Sequence, residues 1–321
     1  MNDPSSPKYL QASLNETLEM LHDYAVNHPE TLSDVAPLPS LLSQCEALCE
    51  AAPPSTPVRS IHHLACSGGT LISKCLATMP NVTLLSEIDP LSRMQMNARH
   101  KRSFMPTDLI HAARVALRPI DDDTALAMFR AALAELHGAL NESGRHLLLR
   151  DHAHSHFCSD TAPPERPTLH EILAQTDPVL SVVTVRHPLD CYLSLIKNGW
   201  QTFSPFTLEE YARRHMAFLD RHRDLPLFRY EEFVADPDGQ LEKICAELAL
   251  SFMPGAESLI QIVDISGDSG RSSAYISPRT RREISEEIEA EIDESPFYAK
   301  LCARLGYALR DEPIICRQIV S

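Results

Sequence analysis

Two short stretches of this 321-residue chain carry residue types suited to holding an anion. The first is Cys66-Ser67-Gly68-Gly69-Thr70, with Lys74 one turn further on. An apolar, β-branched run precedes it over 58–65, and a helical pattern follows over 70–78. A strand, a small-residue turn and a helix N-terminus form an anion cradle, because unpaired backbone N–H groups and the positive end of the helix dipole face the same point. Gly68 and Gly69 let the backbone approach closely, while Ser67 and Thr70 add hydroxyls. Lys74 sits roughly 6 Å along the helix axis from Thr70, and its side chain tilts back toward the N-terminus. The run is not a Walker A motif, which needs Lys directly after its last glycine. An ordinary βα turn with a surface lysine would use the same residues.

The second stretch is Val182-Val183-Thr184-Val185-Arg186-His187-Pro188-Leu189-Asp190-Cys191-Tyr192-Leu193-Ser194. The unbroken apolar run over 179–185 reads as a strand buried on both faces. It delivers Arg186 to the carboxyl edge of a sheet, where α/β proteins bind ligands. A guanidinium there forks onto a phosphate, although a salt-bridged arginine would read the same. Pro188 opens a helix, and Ser194 lies about two turns inside it.

The elements that position these residues alternate. Strands are expected at 58–65, 82–85, 146–150, 179–185 and 227–230. Helices are expected at 70–78, 124–140, 167–175, 188–199, 237–250, 278–292 and 296–305. This order implies an α/β domain with a parallel sheet flanked by helices. Residues 9–26 and 40–51 carry helical patterns, and Ala51-Ala52-Pro53-Pro54-Ser55-Thr56-Pro57 reads as a linker. The expected division is a small helical N-terminal extension over 1–56 and the α/β domain over 57–321.

Composition excludes several classes. Lys and Arg number 29 against 44 Asp and Glu, a net charge of −15. Such a surface disfavours nucleic acid and anionic lipid, so an anionic ligand needs a locally basic pocket. There is no run of about eighteen apolar residues, so no membrane insertion is expected. Nine cysteines without a CxxC pair, and no secretion signal, suggest a reduced cytoplasmic protein. Only ten glycines occur, four of them in Gly68-Gly69 and in Gly267-Asp268-Ser269-Gly270-Arg271.

Together these motifs resemble the sulfotransferase family, over roughly residues 57–310. The resemblance implies a P-loop nucleoside-triphosphatase-like fold and 3′-phosphoadenylyl sulfate as sulfo donor, with adenosine 3′,5′-bisphosphate as product and no metal. It implies that residues 66–70 hold the 5′-phosphosulfate, and that Arg186 and Ser194, eight apart, hold the 3′-phosphate. Phe228-Arg229-Tyr230-Glu231-Glu232-Phe233 is similar to a family segment that sets a tyrosine, here Tyr230, near the adenine. The second glycine cluster resembles a loop that closes over the nucleotide, with Arg271 directed to the 3′-phosphate. One departure stands out: the family's first loop begins with a basic residue, and Cys66 occupies that place. Lys74 is the nearest substitute and Arg271 a distant second. A thiolate role for Cys66 and a simple filler role are both open.

The acceptor hydroxyl needs a general base within hydrogen-bond reach. Glu87 follows the second strand, as in family members acting on carbohydrate or tyrosine. His152 follows the third, as in small-molecule members with a Lys-Thr-His context. Glu87 could equally be a helix cap or a salt-bridge carboxylate. His152, His154 and His156 alternate, so on a strand they would share one face as zinc ligands or as pocket lining. His62 and His63 receive no role. Arg279, Arg281 and Arg282 read as a solvated helix start or as cations for the donor. Loop 92–120 reads as pocket wall or lid.

The expected function is sulfo transfer to a carbohydrate or small-alcohol acceptor, with a homo-oligomer through the N-terminal helices a further expectation. The alternatives are a nucleotide-dependent phosphotransferase with a degenerate loop, and a nucleotide-binding protein that has lost catalysis.

Overall fold

The computed structural model divides into two units, Met1–Pro54 and Ser55–Ser321. It describes residues 56–94, 107–160, 162–163, 165–267, 276–278 and 281–310. In the first unit it describes only Glu19, Met20, His22, Asp23, Val26, Asn27 and Ser40. The expected helix at 40–51 and the linker before Thr56 therefore lie outside the described residues, apart from Ser40. The pairs Glu19-Met20, His22-Asp23 and Val26-Asn27 are helical.

The second unit is built on five parallel strands: β1 (Val58–His62), β2 (Val82–Ile88), β3 (His146–Asp151), β4 (Val179–Val185) and β5 (Leu227–Arg229). Their order across the sheet is β2-β3-β1-β4-β5. β1 pairs with β3 on one side and β4 on the other, with Ile61 opposite both Arg150 and Val182. The connection from β1 runs to β2 on one side of the sheet and that from β4 runs to β5 on the other, so the carboxyl ends of β1 and β4 flank a switch point, the usual place for a ligand crevice.

Eleven α-helices accompany the sheet among the described residues: α1 (Gly69–Ala77), α2 (Leu109–Arg114), α3 (Asp122–Glu142), α4 (Ala153–Phe157), α5 (Leu169–Leu173), α6 (Pro188–Asn198), α7 (Leu208–Arg221), α8 (Tyr230–Ala235), α9 (Pro237–Glu247), α10 (Glu286–Glu294) and α11 (Pro296–Leu305). Local chemistry starts several of them. The Asp121 carboxylate accepts from the Thr124 backbone N–H at 2.8 Å, and Thr168 with Glu171 forms a capping box at α5. Pro188, Pro237 and Pro296 occupy first turns, where a missing N–H costs nothing.

The core lies on both faces of the sheet. Ile61, Leu148 and Val182 pack against α1, α8 and α9 residues such as Ile72, Phe233 and Ile244. Val183 and Val185 pack with Tyr192, Tyr211, Phe218 and Leu301. This explains the β-branched run of β4: both of its faces are covered.

The pattern reading needs correction in two places. Residues 281–285 are not helical; α10 begins at Glu286, capped by Ser285. The segment after β3 is a helix rather than a strand, so His154 and His156 do not share a strand face. α7, α8 and α2 were not anticipated. In α7 the polar-looking Arg214 is wholly buried, held by the carbonyls of Phe157, Ser159 and Asp160.

Candidate active site at the carboxyl edge of the sheet

The loop between β1 and α1 carries two left-handed residues, Cys66 at φ 65° and Gly68 at φ 87°. Both glycines are required by what packs behind them. A Cβ on Gly68 would lie 2.1 Å from the Tyr230 ring, and one on Gly69 would lie 2.1 Å from the His63 ring. Gly68 caps α1 with no side-chain hydrogen bond. Ser67 is buried, and its hydroxyl donates to the Leu64 carbonyl at 2.8 Å, bracing the loop. Thr70 donates to the Gly267 carbonyl at 3.4 Å. Lys74 is in the last turn of α1 and half-buried.

Arg150, at the end of β3, ties the loop to the rest of the edge. Its Nη2 donates to Thr70 Oγ1 at 2.8 Å. Nη1 donates to Ser86 Oγ and the Ser266 carbonyl, both at 2.9 Å, and pairs with Glu87 Oε1 at 2.7 Å. Nε donates to His63 Nε2 at 2.9 Å. The other His63 nitrogen donates to the Leu64 carbonyl at 3.0 Å. That arrangement fixes a neutral tautomer, and burial, reinforced by the Arg150 charge, pushes the His63 pKa down to about 3.

Glu87 reaches this point through a β-bulge. The β2–β3 register shifts between Leu85 and Ile88, and Glu87 takes φ 62°. Bulges re-aim side chains next to sites, and a left-handed glutamate is uncommon enough to mark one. Its second carboxylate oxygen meets His152 Nε2 at 3.3 Å. The two candidate bases are therefore partners at one place. His152 is held in turn from below: its N–H donates to the Ile88 carbonyl at 3.1 Å, and its carbonyl accepts from Ser155 Oγ at 2.9 Å. Ser155 also donates to Asp89, which Arg166 grips at 2.9 and 2.6 Å.

A second basic cluster surrounds Cys66. Arg186 Nη1 donates to the Cys66 carbonyl at 3.4 Å and lies 5.0 Å over the Tyr230 ring. Burial opposes the Arg186 charge, but Cys191, Asp190, Tyr230 and Glu231 outweigh it and raise its pKa. Asn198 Nδ2 approaches Cys66 Sγ at 3.8 Å. Ser194 donates to the Asp190 carbonyl at 2.6 Å and accepts from Arg282. Arg281 pairs with Asp190 at 2.9 Å, both side chains 4% exposed. Arg281 and Arg282 are thus not a solvated helix start: one is buried in an ion pair and the other reaches Ser194.

Burial pushes the Cys66 thiol up to about 11, against the pull of Arg186, Arg282 and Asn198. A raised pKa is the opposite of what helix-end stabilisation of a thiolate would give. His154 and His156 turn into the core instead of the crevice. His154 Nε2 bonds Thr202 Oγ1 at 3.0 Å, and His156 stacks on Phe157.

Tyr230, buried at the start of α8, packs between Gly68 and Arg186. Gly267 touches the other side of the loop: a Cβ there would strike Glu87 Oε1 at 2.1 Å. Ser266 exchanges hydrogen bonds with Ser86 at 3.1 Å in each direction. Arg271 and Arg279 lie outside the described residues, as do 95–106 of the expected lid.

Sequence reading missed four contributors: His63, Ser86, Asn198 and Ser266. Only His63 left a signal, a polar residue late in a buried strand. Arg150 ends the strand expected over 146–150, and its partners there come only from the fold.

The profile described as "Sulfotransferase family" matches residues 61–254, more than half of the chain. Comparison with curated proteins gives no match. Among solved structures, the sulfotransferase domain from the curacin biosynthetic pathway is 16% identical, with a TM-score of 0.47, covering 80% of this chain and 100% of that domain. A sulfotransferase from Alicyclobacillus acidocaldarius is 16% identical, with a TM-score of 0.41, covering 79% of this chain and 98% of that one.

Proposed function

Because the chain belongs to the sulfotransferase family, we propose that it moves a sulfo group from 3′-phosphoadenylyl sulfate to a hydroxyl acceptor, a carbohydrate or small alcohol. One observation carries this reading. Arg150, through Thr70, and Arg186, through the Cys66 carbonyl, set guanidinium groups on both ends of one glycine loop. Two cationic forks around a helix N-terminus suit a ligand with two separate anionic groups.

The phosphosulfate lies on the loop, beside Arg150. The 3′-phosphate lies at Arg186, Ser194 and Arg282. Arg150 supplies from β3 the positive charge that Cys66 cannot, with Lys74 behind it on α1. The chemistry is in-line displacement at sulfur. The acceptor oxygen forms a bond to sulfur as the bond from sulfur to the bridging phosphate oxygen breaks. The electron pair leaves with adenosine 3′,5′-bisphosphate, where Arg150 meets the developing charge. The acceptor proton passes to the Glu87–His152 pair, in which one group takes the proton and the other orients it.

Six described cysteines are free thiols, consistent with a reducing compartment such as the cytoplasm. No helix among the described residues is long and apolar enough to cross a membrane.

Isothermal calorimetry with adenosine 3′,5′-bisphosphate, without metal and against Mg-ATP, tests the reading. Metal-independent binding of the bisphosphate, at least tenfold tighter than Mg-ATP, is expected. A preference for Mg-ATP would replace the reading with phosphotransfer.

A further inference from the structure

His62 ends β1 and His63 follows it, while Arg150 and Asp151 end β3, where consecutive residues face opposite sides of the sheet. His63 and Arg150 meet on the face that carries the candidate active site. On the other face His62 and Asp151 meet, Nδ1 to Oδ2 at 2.7 Å. His222, the residue after α7, joins them, its ring 4.8 Å from that of His62.

We infer that His62, Asp151 and His222 form a buried binding site for a zinc-type transition-metal dication, separate from the sulfo-transfer crevice. Their ligand atoms all lie within 4.8 Å of one another. A tetrahedral ion with bonds of about 2.0–2.2 Å holds neighbouring ligand atoms about 3.3–3.6 Å apart, so small side-chain rotations close the set. Two imidazoles and a carboxylate are a familiar zinc donor set with one position left for water.

The hydrogen bonds around the three residues prepare their lone pairs. His222 Nδ1–H donates to the Phe218 carbonyl at 2.8 Å. That leaves Nε2 as a bare acceptor. It is buried, and among the described residues nothing donates to it. The residue itself is only 3% exposed. A metal-bound histidine usually donates its other N–H to a carbonyl or carboxylate in this way.

His62 has the matching support. Its Nε2 lies 2.9 Å from Ser60 Oγ, Ser60 lies 2.7 Å from Ser181 Oγ, and Ser181 lies 2.9 Å from His170 Nδ1. Read in one direction, each group donates to the next and the chain ends on an imidazole lone pair. His62 Nδ1 then offers a lone pair, and the proton it shares with Asp151 in the metal-free chain leaves as the ion binds. Asp151 is 4% exposed, and its ion-pair partner in the metal-free chain is His62 rather than a lysine or arginine; a bound dication would balance its charge. The ion would join β1 and β3 to the end of α7, behind the strand ends that carry His63, Arg150 and His152.

The site is closed to solvent, so the ion enters as the chain folds. The test therefore uses the full untagged chain, produced in medium with zinc or with cobalt and purified without chelator. About one equivalent of metal per chain is expected, with the visible absorption of four-coordinate Co(II). His222→Gln and Asp151→Asn should each lower the metal content at least tenfold. His215→Gln, a buried histidine elsewhere on α7, should leave it unchanged. Folded wild-type chain with less than a tenth of an equivalent overturns the site, as does equal content in the His222→Gln and His215→Gln chains. If the ligand variants do not fold, X-ray absorption of the zinc-loaded wild type decides. Two imidazoles and one carboxylate support the site, and a shell without imidazole overturns it.

Discussion

Glu87 and His152 meet at 3.3 Å, although 64 residues and a helix-bearing crossover separate them in sequence. The bulge in β2 makes this contact, and Arg150 holds the carboxylate's other oxygen at 2.7 Å. Two groups in direct contact should not act independently. Glu87→Gln and His152→Ala are each expected to lower turnover by about 10²–10⁴. The double variant should lose no more than the worse single one. Labelled sulfo transfer to an acceptor panel measures this, and multiplicative losses would separate the pair.

Arg186 is the half-buried cation beside the Cys66 carbonyl. Arg186→Ala removes a charge-assisted contact worth about 1.5–3 kcal/mol. Affinity for adenosine 3′,5′-bisphosphate should therefore fall by at least tenfold in calorimetry. An unchanged dissociation constant would take Arg186 out of the site.

Arg150 acts through its fork. Three nitrogens serve five partners, and a lysine cannot reproduce that geometry. Arg150→Lys should lower kcat by about tenfold or more. Its effect on bisphosphate affinity should be smaller than that of Arg186→Ala. The reverse order would place the 3′-phosphate at Arg150.

Gly68 has φ 87° and no room for a Cβ against Tyr230. Gly68→Ala combines backbone strain with overlap, and should cost roughly 2–4 kcal/mol of stability. Chemical denaturation would show this as a lower midpoint with an unchanged slope. A neutral result would mean that the loop and Tyr230 part easily.

His63, His154 and His215 are kept neutral by burial, each with a pKa pushed down to about 3. Unfolding restores the ordinary value near 6.5. Between those values the unfolded chain binds protons that the folded one does not. The stability is therefore fully present above pH 6.5 and lost as pH falls toward 3. Each histidine contributes at most about 1.4 kcal/mol per pH unit. Urea midpoints at pH 7 and pH 5 should fall less for His215→Gln than for wild type. Equal falls would mean that His215 protonates in the folded state.

Much of the fold was legible in residue pattern. β4 was readable because both of its faces are covered, which makes a continuous apolar run. α11 was readable from Pro296 to Leu305 because a proline start and helical spacing bound it. α7 was missed because Arg214, His215 and neighbouring charges look solvent-facing until the carbonyls of Phe157, Ser159 and Asp160 are set against Arg214. The start of α10 lies later than the pattern implies because 278–285 has the charge of a helix, while Arg281 and Arg282 are held by Asp190 and Ser194 instead.

The chain alone determined which chemistry is present. Gly68 and Gly69 before a helix, Arg186 after a buried strand and Ser194 two turns on are local patterns, fixed by backbone geometry over a few residues. Tertiary structure decided which groups act together. Parallel pairing brings β3 beside both β1 and β2, so Arg150 reaches His63, Thr70 and Glu87 at once. A one-residue bulge turns Glu87 onto His152, and the alternation of strand faces on β3 separates Arg150 from Asp151. None of these contacts follows from spacing, because each joins residues whose distance depends on sheet order and register rather than on the length of chain between them.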